Sequence, residues 1–207
     1  MKSVTLSLEV MKQKEELVSL RRHFHRNPEL GLEEKETSSF IAGYLRDLGL
    51  EVRERVGKTG VTGLLRGTRD GKTLLYRADM DALRVREEND VEYRSRCDGV
   101  AHACGHDAHM AVALSAAKLL AGIGNEIAGN VKFLFQPNEE LAPGGAQLMI
   151  DEGVMENPKV DGALGLHVWQ GIPAGSVGIK PGPVFAAGTG RDRTAAQIDT
   201  PFCSLVR

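Results

Sequence analysis

Residues 73–81 read Thr-Leu-Leu-Tyr-Arg-Ala-Asp-Met-Asp, a short apolar run that ends on two acids. Later stretches repeat the plan: Phe133-Leu134-Phe135 runs into Gln136-Pro137-Asn138-Glu139-Glu140, and Ala163-Leu164-Gly165-Leu166 runs into His167. Short apolar runs bounded by turn signals are consistent with buried strands. In an open α/β sheet, ligands bind in the crevice beyond the carboxyl ends of the strands. Strands that deliver Asp, Glu and His to that edge therefore predict a fold and the place of a site together.

Working outward, helical periodicity is expected over Ala108–Ala121 and Gly144–Glu152, between the strand-like runs Asn130–Gln136 and Gly162–Leu166. Toward the N-terminus, Val10, Leu17, Leu20 and Phe24 predict one helix over Leu8–Phe24, which Asn27-Pro28 must stop because proline cannot continue it. A second helix is expected over Glu33–Leu48, with Gly49 as its left-handed cap. Short strands are expected at Glu51–Arg55, Val61–Arg66 and Thr73–Arg77, separated by Gly57, Gly60, Gly67 and Gly71. Strands alternating with helices predict a layered α/β fold with a mostly parallel sheet.

The balance of 42% hydrophobic and 26% charged residues in 207 is that of a globular protein able to bury a core. A net charge of -2 gives no electrostatic case for nucleic acid or an anionic membrane surface as partner. The N-terminal sequence MKSVTLSLEVMKQKEELVSLRRHF spaces its apolar residues with charges and lacks the run of a signal peptide or spanning helix. The expected location is cytoplasmic. Cys97, Cys104 and Cys203 are too few and too scattered for a disulfide framework.

The densest chemistry is His102-Ala103-Cys104-Gly105-His106-Asp107-Ala108-His109, just ahead of a helix. Cys104 and His106 are two apart, so an extended loop would aim both to one side. Thiolate and imidazole suit zinc and related divalent metals, and the carboxylates of Glu139 and Glu140 extend the choice to manganese. A lone histidine would more simply be packing, and Cys104 alone a small buried hydrophobe. A cysteine and three histidines within eight residues, beside strand-end acids and His167, favour a metal. A nucleophilic Cys104 is disfavoured because a histidine two residues away meets it in poor geometry. Adjacent carboxylates on extended backbone point to opposite sides, so Glu139 and Glu140 should do different work, one on metal and one on protons. Hydrolysis of an amide by metal-activated water needs that division.

The ordered motifs Arg22–Leu30, Arg77–Leu83, His102–His109, Gln136–Glu140 and Gly165–Trp169 resemble the M20 peptidase family, in its hippurate hydrolase and N-acyl-amino-acid hydrolase branch, which includes hydrolases of indoleacetic acid (IAA) conjugates. The resemblance runs from about Leu17 to Ala187. It implies a zinc-exopeptidase-like α/β/α layered catalytic domain and hydrolysis of N-acyl amino acids such as hippurate. It implies Cys104, His106, Glu140 and His167 as ligands of a pair of divalent ions (Mn, Zn, Ni or Co), and Glu139 as general acid/base. Asp79 then orders the site, with Arg77 standing where the wider family often has a metal-binding histidine. His23 and His25 are read as packing or surface residues. Asp107 is expected to cap the helix beginning at Ala108, and His109 to lie beside the metal rather than on it.

Against the family pattern, residues 1–187 correspond to an N-terminal part of the catalytic domain. Residues 188–207 read as a divergent tail where a lid and dimerisation domain would begin, leaving the fold incomplete at its C-terminal end, with Cys203 incidental. A last metal-binding histidine is expected beyond that point. The implied partner is a small N-acyl amino acid, and whole members are often homo-oligomers. The alternative expectation is a catalytically silent fragment that at most binds metal or a partner.

Overall fold

The computed structural model describes residues 5–179 and residue 181. Helix α1 is Leu8–Lys12, α2 Lys14–Arg26 and α3 Lys35–Asp47, followed by strands β1 Glu51–Val56, β2 Gly60–Arg66 and β3 Arg69–Asp79. Helix α4, His106–Gly122, leads to β4 Ala128–Gln136, then α5 Gly145–Asp151 and β5 Gly162–Gly165. The single helix expected over Leu8–Phe24 is broken at Gln13, where the backbone N–H turns back to Val10 and Met11. No residue of α1 is buried, so packing does not hold it in line with α2. Gly49 has φ 81°, the left-handed conformation expected after α3.

The five strands form one sheet in the order β1-β2-β4-β3-β5. β3 pairs in parallel with both β4 and β5, giving a parallel core. β1 and β2 are joined by too short a connection for a crossover and pair antiparallel; β2 also runs antiparallel to β4. Because β3, β4 and β5 run the same way, Asp79, Gln136 and Gly165 end at one edge.

Alternation along the strands sorts side chains to two faces. Val131, Phe133 and Phe135 of β4 and Tyr76 and Ala78 of β3 join Leu20, Phe24, Ile41, Leu45, Met110 and Leu114 from α2, α3 and α4 in the larger core. Leu75 and Leu134 face the other way, onto Met149 of α5 and Val154. The sheet is thus covered on both faces, as its parallel core requires. On the second face Lys132 is buried, and its Nζ donates to the carbonyls of Val154, Glu156 and Pro158 at 2.8–3.0 Å. That fixes the loop between α5 and β5. Among the described residues, no helix is long and apolar enough to cross a membrane.

Candidate metal centre

At the carboxyl edge of the parallel strands, three overlapping groups of donor atoms share His106: with Cys104 and His167, with Asp79 and His109, and with Glu139 and Glu140. Within each group the candidate atoms lie within 4.8 Å of one another. His106 opens α4 and is fully buried. Its Nδ1 lies 2.8 Å from the Asp81 carbonyl, which can only accept, so Nδ1 carries the proton and Nε2 faces the site. Around Nε2 stand Asp79 Oδ2 at 3.6 Å, Glu140 Oε1 at 3.7 Å and Glu139 Oε2 at 4.0 Å. Cys104 Sγ is 3.4 Å from His167 Nε2. Buried His106 Nε2 and Glu140 Oε1 have no hydrogen-bond partner. Orphaned buried polar atoms are costly, and a cation between them would satisfy both. A thiolate, two imidazoles and a carboxylate therefore fit a divalent transition metal.

The electrostatics point the same way. Burial opposes charge on His106, yet its bond to Asp81, the Cys104 thiol and the charges of Asp79 and Asp81 push its pKa up to about 11. The pocket is built for positive charge there. Burial works against Asp79 as an anion too, but His109, Arg77 and His106 hold it well below the usual carboxylate range. Glu139 moves the opposite way, raised by burial and by the charges of Glu140 and Asp79.

Local backbone geometry, not extension, makes the cluster. Gly105 caps α4 with φ 87°, and a Cβ there would meet Val168 Cγ2 at 2.3 Å. Glycine alone allows both the left-handed turn and the close approach of the segment carrying His167. Glu139 and Glu140 were expected to point apart. They converge instead, their candidate oxygens within 4.8 Å of each other, because both residues lie in a bend, just after Asn138 at φ 48°, and not in extended backbone. The turn is clamped on both sides: Glu34 Oε1 accepts from Asn138 N and Asp81 Oδ2 from Glu140 N, each at 3.0 Å. Gly31 gives Asn138 room, since a Cβ there would sit 2.2 Å from Asn138 Oδ1.

Other histidines of the motifs have different partners. The cap position of α4 is Gly105, not Asp107; from the first turn Asp107 still serves the helix start, its Oδ1 accepting from Ala108 N at 2.9 Å, while its Oδ2 accepts from Arg21 Nε at 2.8 Å and lies 2.7 Å from His25 Nδ1. His25 is buried between Asp107 and Glu87, with its Nε2 2.9 Å from Glu87 Oε1, so it is a buried polar link, not surface. His23 stacks on Phe40. His102 is buried, neither ring nitrogen has a partner, and burial pushes its pKa down to about 4, leaving it neutral. Sequence reasoning missed Asp81 and Glu34. The only signal for Asp81 was its place two residues past Asp79 at a strand end; Glu34 gave none.

The family model described as Peptidase family M20/M25/M40 matches residues 75–204, more than half of the chain. The chain belongs to that family. Among its M20 relatives, an N-acyl-L-amino acid amidohydrolase of Geobacillus stearothermophilus is 42% identical over 174 residues, covering 84% of this chain and 46% of the relative. An IAA-amino acid hydrolase of Arabidopsis thaliana is 43% identical, covering 82% of this chain and 38% of its own length. The crystal structure of the Bacillus subtilis YXEP protein, described as a dinuclear metal binding peptidase, superposes with a TM-score of 0.79 at 36% identity. That match covers 84% of this chain and 48% of the other. The chain thus spans under half the length of these relatives. The M20 match reaches into residues 182–207, which with Lys180 lie outside the described residues, as do the expected tail and Cys203.

Proposed function

We propose that this chain carries the metal centre of an amidohydrolase that cleaves N-acyl amino acids, hippurate-like N-acylglycines among them. The observation that carries this reading is that two donor groups meet at His106, one with Cys104 and His167 and the other with Glu139 and Glu140. The substrates named for the amidohydrolase and IAA-amino acid hydrolase relatives support the class, and the dinuclear relative supports a pair of ions. Thiolate and imidazole suit zinc, cobalt or nickel, and the carboxylates admit manganese.

Cys104, His106, His167 and Glu140 would hold metal, which when bound supplies Lewis acidity to polarise a carbonyl and acidify a water. The chain's own residues do the rest. The Asp81 carbonyl, bonded to Nδ1, keeps Nε2 of His106 turned inward. Asp79 stays anionic and orders His106 and His109. Glu139 moves the proton from the attacking water to the leaving nitrogen. Its side chain is 40% exposed against 20% for Glu140, so it is the carboxylate a substrate can reach. Its raised pKa suits a group that must both accept and return a proton.

The test is hydrolysis of N-benzoylglycine by purified protein with added manganese or zinc, before and after chelation. Turnover that stops on chelation and returns with metal supports the proposal. Turnover that survives exhaustive chelation contradicts it. Coverage of under half of each relative favours one second reading, in which these residues take up metal without completing a working site; metal uptake without turnover would support it.

A further inference from the structure

His109 of α4 links strand-end segments that are distant in sequence. It is 1% exposed, its Nδ1 lies 2.5 Å from Asp79 Oδ1, and its Nε2 lies 2.9 Å from the backbone nitrogen of Val168. A backbone N–H can only donate, so Nε2 is the bare nitrogen and Nδ1 carries the proton given to Asp79. With both nitrogens engaged, His109 has none left for a metal, although Asp79, His106 and His109 have suitable spacing for one. Asp79 is held from its other side by Arg77 Nη1, which donates to Oδ2 at 2.7 Å, and Arg77 Nε donates to Gln136 Oε1 at 2.9 Å. One line of contacts therefore runs from the end of β4 through β3 and α4 to the segment after β5.

That segment needs a hold. β5 has four residues and, among the described residues, pairs only with β3; its register ends at Gly165 opposite Arg77. His167 follows two residues later, with no ladder to fix it. Its ring packs edge-on to His109, centroids 4.5 Å apart, and its Nε2 reaches Cys104 Sγ at 3.4 Å. We propose that His109 is a positioning residue that, through the Val168 N–H, fixes the backbone beside His167 and aims that imidazole at Cys104 and His106. The inference rests on reading these residues, with Glu140, as a metal centre.

The test uses the 207-residue chain with cobalt(II) as the probe, in wild type, His109→Phe and His109→Gln, together with long-range ¹H–¹⁵N spectra of ¹⁵N-histidine-labelled, metal-free wild type. The spectra should show His109 protonated at Nδ1 and bare at Nε2. Cobalt should give wild type a thiolate-to-cobalt charge-transfer band from Cys104. His109→Phe should keep that band but bind about 10- to 100-fold more weakly, as loss of a ligand's supporting partner does. His109→Gln, whose amide oxygen can still accept from Val168, should lie between. A band in wild type with equal cobalt affinity in a less stable His109→Phe would make the role structural only and overturn this inference alone. So would a His109 protonated at Nε2, a result that needs no variant to fold. Absence of the band from wild type would overturn the metal-centre reading and this inference with it.

Discussion

His106 Nε2 and Glu140 Oε1 face each other across 3.7 Å, both buried and both without a hydrogen-bond partner. Two such atoms left bare would cost roughly 1–3 kcal/mol each, so their pairing makes sense around a shared cation. Replacing Glu140 by Ala should therefore weaken metal binding beyond the roughly 10- to 100-fold that loss of a mere supporting partner costs. Competition with a chromophoric chelator measures this. Unchanged affinity would remove Glu140 from the ligand set.

Glu139 should separate from Glu140 in such an experiment. Glu139→Gln is expected to keep metal while lowering the hydrolysis rate by about 10²- to 10⁴-fold, the usual contribution of a general acid/base. Metal content and single-turnover rate, measured on the same sample, distinguish the two roles. Loss of metal together with rate would show that Glu139 is a ligand.

The link between His25 and Asp107 predicts a pH signature. The bond to Asp107 and then that to Glu87 raise the His25 pKa against burial. A raised folded-state pKa gives stability that is fully present below the unfolded value, about 6.5, and is lost as pH climbs through the folded one. Burial opposes ionisation of Asp107 and Glu87, but bonds to His25 and other donors lower both, so their share is lost as acid is added. The melting-temperature gap between wild type and His25→Phe should be wider at pH 6 than at pH 9. A gap that is flat, or that grows with pH, would show that His25 is not charged in the fold.

Lys132 offers a test of the second core. Its ammonium satisfies three carbonyls of the loop after α5, and Lys132→Met would leave them buried or force the loop open. The expected loss is about 1–3 kcal/mol or more in denaturant unfolding. A neutral substitution would mean that the loop carbonyls find other donors.

Much of the layered fold was legible because each strand of the parallel core announces itself twice, by an apolar run and by the acid or histidine that ends it. The Cys104/His106 pair and His167 were legible as residue types that group few other chemistries together. What sequence spacing could not supply was the backbone path. The bend at Glu139 and Glu140, after Asn138 at positive φ, brings together two carboxylates that extended backbone would have parted, and Gly105 takes over the capping place expected for Asp107. Contacts between residues far apart in the chain were equally out of reach. The bond from His25 to Asp107 spans 82 residues and that from His109 to Asp79 spans 30, and no local period encodes either.

The central claim is that Cys104, His106, His167 and Glu140 are metal ligands, and zinc K-edge X-ray absorption on the zinc-loaded chain tests it most directly. The expected shell holds one sulfur at about 2.3 Å with nitrogen and oxygen neighbours at about 2.0–2.2 Å, the sulfur disappearing in Cys104→Ser. A chain that takes up no zinc, or a shell without sulfur in the wild type, would contradict it.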